Sequence, residues 1–94
     1  MINLEENHLK ILKEILSKYS YTFYLFGSRS KEKYSKFSDV DLCYKENIPD
    51  KIIRDIRFEL EDSNLPLFVD LVYWNDMPES FQKLIEKDLT PLTP

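Results

Sequence analysis

The chain has one glycine, Gly27, in 94 residues, where average usage is roughly 7%. Its other turns are therefore made by Asn, Asp, Ser, Lys or Pro. The one residue without a Cβ is expected where a side chain cannot be tolerated. It follows directly on residues 21–26, YTFYLF, an aromatic and β-branched run that reads as a strand. A strand ending in Gly27-Ser28 at the start of a helix presents backbone N–H groups to an anion. The Ser28 hydroxyl adds a further donor, and Arg29 or Lys31 adds charge. A P-loop is excluded, because there is no second glycine and no Gly-Lys-Ser/Thr.

The rest of the chain alternates around this point. Leu4, Ile11, Leu12, Ile15, Leu16 and Tyr19 lie at helical spacing, and Asn3 with Glu6 matches a capping box. Residues 28–38 read as a short helix and a loop, and residues 39–45 as a second strand. Its period of two puts Asp39, Asp41 and Cys43 on one face and Val40, Leu42 and Tyr44 on the other. A helix over 50–62 opens after Pro49 and buries Ile52, Ile53, Ile56 and Leu60, with Phe58 off that stripe. Residues 67–74 read as a third strand, apolar except for Asp70, and so expected to be covered on both faces. Asp76 with Glu79 matches another capping box, opening a last helix with Phe81, Leu84, Ile85 and Leu89 on its apolar side. The two prolines of the tail TPLTP stop it. The chain reads as one domain over residues 1–94.

Charge and composition remove several function classes. Thirteen basic against seventeen acidic residues give a net charge of −4 and a pI near 5.0. That argues against direct nucleic-acid binding, which needs a basic footprint, but not against a nucleotide substrate whose phosphates are neutralised by metal ions. One cysteine, Cys43, and one histidine, His8, offer no disulfide and no thiolate or imidazole metal cage. The longest apolar runs, such as 23–26 and 67–69, fall far short of the ~20 residues of a membrane span. The N-terminus carries acids where a signal peptide carries bases, so a cytoplasmic protein without membrane association is expected.

Three carboxylates stand where folding alone would not put them. Asp39 and Asp41 begin one strand and Asp70 interrupts another, although aspartate is depleted in strands. A buried, unpartnered carboxylate costs several kcal/mol. Hard divalent cations such as Mg²⁺ resolve that cost, and two carboxylates on one strand face can bridge two ions, the arrangement that serves phosphoryl transfer.

The stretch LFGSRSKEKYSKFSDVDLCY, followed by a helix and FVDLVYW, resembles the minimal nucleotidyltransferase domain of the DNA polymerase β superfamily. The likeness runs from the first helix to the last and is closest to the MntA-like antitoxins encoded beside HEPN-domain toxins. It implies an α+β fold, with a small mixed sheet of three or more strands flanked by about four helices. It also implies that Gly27 and Ser28 contact a nucleoside triphosphate. Asp39 and Asp41 would hold two Mg²⁺ ions, Asp70 would complete the site, and Ser38 matches the serine that often precedes the pair. The implied reaction moves AMP from ATP to a tyrosine hydroxyl of a HEPN ribonuclease toxin. The chain departs from the family at Glu32, where a small residue is usual. This leaves a second reading open, an antitoxin that neutralises by occlusion without catalysis. A polymerase-like or drug-modifying enzyme is less favoured, because such members carry further domains for their acceptors.

Overall fold

A computed structural model describes residues 5–26 and 40–92. Seven elements follow in chain order: α1 (Glu6–Leu16), β1 (Tyr24–Phe26), β2 (Val40–Tyr44), α2 (Asp50–Asp62), β3 (Val69–Tyr73), α3 (Glu79–Ile85) and β4 (Thr90–Pro91). Single 3₁₀ turns, Trp74–Asp76 and Glu86–Asp88, flank α3. The strands form one mixed sheet in the order β3-β2-β1-β4. β1 pairs antiparallel with β2 and β4, whereas β2 and β3 are parallel. A parallel pair needs a crossover between its strands, and α2 supplies it.

The alternation of side chains assigns the two faces. Phe23 and Leu25, then Val40 and Leu42, then Val69 and Leu71 turn to one side of the sheet. They pack there against Leu12, Ile15 and Leu16 of α1 and Ile53, Ile56 and Leu60 of α2. Phe26 and Cys43 turn to the other side and meet Met77 and Ile85 of the α3 region. The described residues thus form an α+β arrangement with two helices on one face and a shorter one on the other. Among the described residues, no helix is long and apolar enough to cross a membrane.

Local departures from the sequence reading have identifiable causes. α1 begins at Glu6 with Glu5 in the cap position and no side-chain cap bond, and Asn3 of the expected capping box lies outside the described residues. α3 follows Pro78, again with no side-chain cap, while Asp76 is spent in the preceding 3₁₀ turn. The proline fits the helix entry because its missing N–H needs no partner there. α3 stops at Ile85, its buried residue. Leu84 lies exposed, and the partly exposed Phe81 packs edge-on against Phe26 at 6.1 Å between centroids. β1 is shorter than expected, since the Thr22 N–H bonds the Glu46 carboxylate at 2.7 Å. The short helix and loop expected over 28–38 lie outside the described residues.

The tail holds a strand that its composition conceals. Leu25 is opposite Thr90 and Tyr24 is opposite Pro91, and the Leu92 N–H donates to the Phe23 carbonyl at 2.9 Å. β4 is an edge strand, where a residue lacking N–H can face outward without breaking the ladder. Leu92 is buried and anchors it.

α1 and α2 are tied by a polar cluster at one end. Lys18 Nζ lies 2.7 Å from Glu59 Oε1, and the Tyr19 hydroxyl donates to the other carboxylate oxygen. The bonds from Lys18 and Tyr19 hold the Glu59 carboxyl below its ordinary pKa. The bond to Glu59 and partial burial push the Tyr19 hydroxyl up to about 12. Glu59→Gln is expected to lose about 1–2 kcal/mol, read as a lower thermal midpoint at pH 7. The signs follow from linkage. Glu59's contribution is present above its unfolded pKa and disappears as pH falls through the lowered folded value. Tyr19's is intact below the tyrosine's ordinary value of 10.0 and is lost as pH rises towards about 12. Wild-type and Glu59→Gln midpoints should therefore converge in acid.

Candidate active site

β2 carries Asp41 because its alternation must bury Val40, Leu42 and Tyr44 against the helices, which turns Asp41 and Cys43 to the opposite face. The same logic on β3 buries Val69 and Leu71 and turns Asp70 to that face. The parallel register sets Asp41 directly beside Asp70, with strands roughly 5 Å apart. Asp41 is half-buried and Asp70 exposed. The antiparallel register places Phe26, the last residue of β1, on the other flank of Asp41. Two carboxylates and the end of β1 therefore converge on one stretch of sheet.

One expectation about Asp70 is corrected here. The apolar run around it suggests a strand covered on both faces, but β3 is the edge of the sheet and its burial alternates over Val69, Asp70 and Leu71. Asp70 does not sit in the strand as a buried charge seeking compensation. It faces solvent beside Asp41, and like charges directly opposite on neighbouring strands disfavour the pairing.

The donor set fits a hard divalent cation. Carboxylate oxygens on an open face suit Mg²⁺, which keeps several waters and takes one or two carboxylates. Among the described residues, no group of three or more His, Cys, Asp or Glu side chains gathers as a metal cage. Asp39, the third carboxylate expected from the sequence, lies outside the described residues, as do Gly27, Ser28, Arg29 and Ser38.

Cys43 shares the face of Asp41 but is fully buried, and burial pushes its thiol up to about 11. A thiol so rarely ionised is packing and not a nucleophile. Further along that face, Lys45 Nζ sits 4.9 Å from the centre of the Trp74 ring and 5.3 Å from that of Tyr24. This holds the far end of β2 against β1 and the chain after β3.

The family model described as "Polymerase beta, Nucleotidyltransferase" matches residues 3–92. The chain belongs to the polymerase β nucleotidyltransferase family. A relative described as "Probable protein adenylyltransferase MntA", from Haemophilus influenzae, is 37% identical over 90 residues, covering 92% of this chain and 79% of the relative. The resemblance seen in the sequence is thus established, and with it the α+β nucleotidyltransferase fold. This nucleotidyltransferase also carries a groove between α2 and the start of β3, lined by Arg57, Glu61, Phe68 and Asp70 among others. The sequence reading did not find it. Phe58, off the buried stripe of α2 and 66% exposed, is not among the residues that line it.

Proposed function

We propose that this nucleotidyltransferase is an antitoxin that moves AMP from ATP to a hydroxyl of a protein acceptor, a tyrosine of a HEPN ribonuclease toxin, and so silences it. The observation that supports the reading most is the register that sets Asp41 beside Asp70 at the end of β1. The name of the 37% identical relative, a probable protein adenylyltransferase, supports the choice of group transferred.

Residues 1–94 act in this reading as one nucleotidyltransferase domain. Gly27, Ser28 and Arg29 bind the triphosphate, with Ser38 beside the carboxylate pair. Asp39, Asp41 and Asp70 would hold two Mg²⁺ ions, which when bound supply charge neutralisation at the phosphates and the attacking oxygen. The acceptor oxygen forms a bond to the α-phosphorus while the bond from that phosphorus to the bridging oxygen of the β-phosphate breaks. Pyrophosphate departs with the electron pair, and the hydroxyl proton passes to the Asp70 carboxylate and on to water. The chain's own part is to position two reactants in line.

The direct test is the intact mass of the toxin after co-expression. An added AMP, absent when the divalent metal is chelated in the purified reaction, is the expected result. A toxin that is inhibited yet carries no AMP would instead support the second reading, neutralisation by occlusion, which Glu32 favours by adding an acid near the expected triphosphate path.

A further inference from the structure

The outer edge of β3 continues the candidate site. The Val40 N–H donates to the Phe68 carbonyl at 2.9 Å, which fixes the parity of the ladder. Phe68, Asp70 and Val72 aim their backbone groups at β2, so Val69, Leu71 and Tyr73 aim theirs outward. Arg57 marks that outer row, since its Nη2 donates to the Leu71 carbonyl at 3.0 Å. β3 is the last strand in the order, so no strand lies against this row among the described residues. Such a row is a template for an added strand.

A groove of about 540 Å³ opens at the start of this edge, where Val69 and Asp70 line it, within the size range of sites that take small ligands or side chains. Leu65, Pro66 and Phe68 give it an apolar wall, and Phe68 is 60% exposed. Asp70 lines the groove and is also the register partner of Asp41. The sheet order separates two approaches to that pair. The end of β1, where the nucleotide is expected, lies on one side of β2, and the groove lies on the other. What fills the groove reaches the carboxylates from the side opposite the nucleotide, as an acceptor must.

We propose that this groove docks an extended segment of the acceptor protein, added as a strand to β3, with an apolar side chain against Phe68 and Leu65 and the hydroxyl-bearing residue held at Asp70. It rests on the reading above that the acceptor is a protein hydroxyl. An N–H of the incoming strand replaces Arg57 at the Leu71 carbonyl.

The test uses the full chain and a synthetic peptide, Lys-Val-Thr-Val-Tyr-Val-Thr-Val-Lys, at millimolar concentration. A control carries the same side chains with every amide N-methylated. Hydrogen exchange at the Val69, Leu71 and Tyr73 amides should slow about tenfold with the first peptide and not with the second. Phe68→Ser should raise KM for the peptide by about tenfold, the loss of one apolar contact, leaving kcat and KM for ATP unchanged. Unaltered exchange at these three amides, or equal slowing with both peptides, overturns the docking site. Failure to find AMP on any acceptor counts against the reading above, whereas the exchange measurement decides docking whether or not AMP is transferred.

Discussion

Asp70→Asn is expected to lower AMP transfer by at least about 100- to 1,000-fold, the scale of removing one group that stabilises developing charge, while leaving the protein as stable as before or more so. The two effects have one cause. Asp70 is exposed and in register with Asp41, so the folded chain holds two carboxylates side by side on neighbouring strands. Like charges directly opposite cost roughly 0.2–1 kcal/mol, and replacing one with an amide of the same shape removes that cost. A gain of that order raises the thermal midpoint of a domain this size by up to about 4–8 °C. Asp41→Asn should lose transfer similarly. A site held for chemistry against stability gives opposite signs for the two readouts. Asp70→Asn with undiminished transfer would remove Asp70 from the site, and a lowered midpoint would show that the pair is structural. In cells, Asp39→Asn with Asp41→Asn separates the two antitoxin readings, because an occluding protein still protects and an enzyme does not.

How far the sequence carried the fold depended on whether the deciding force was local. α2 was legible to its first and last residue because Pro49 fixes the entry and Ile53, Ile56 and Leu60 keep a clear helical period. β2 was legible because its alternation has a buried consequence on both faces, Val40 and Leu42 on one and Cys43 on the other. β4 was not, because the pairing of Thr90 and Pro91 with β1 is decided by Leu92 entering the core, and nothing local in TPLTP announces it. Asp70 stands out as the one charge in an apolar run, but that run does not disclose its exposure. Burial of β3 depends on its place at the sheet edge, and strand order is a tertiary property. The likeness to the nucleotidyltransferase domain implies that Asp70 joins Asp41 in one site, but no local pattern sets the register between them. Sequence placed both residues on strands, and only the parallel pairing of those strands makes them neighbours.

Phe23→Ala is expected to cost about 3–5 kcal/mol, the usual range for truncating a buried aromatic. Phe23 is 0% exposed and ties separate parts of the sheet together. Its ring meets the Tyr44 ring edge-on at 6.2 Å, and Tyr44 in turn stacks on Tyr73 of β3 at 5.3 Å. Its carbonyl receives the Leu92 N–H that holds the tail. A chain of this length is stable by roughly 5–14 kcal/mol, so the substitution removes roughly a fifth or more of the margin and lowers the midpoint by roughly 12 °C or more. Phe58→Ala is the matched control, since the same atoms are removed where the ring is 66% exposed, and its cost should stay within about 0.5 kcal/mol. The site feels the difference too. Val40 and Leu42, which flank Asp41, pack in the same core as Phe23, so a cavity there loosens the strand that sets Asp41 beside Asp70. AMP transfer by Phe23→Ala should therefore fail on warming well below the temperature at which wild type and Phe58→Ala lose it. Equal losses of stability in the two variants would mean that this core does not hold the sheet together.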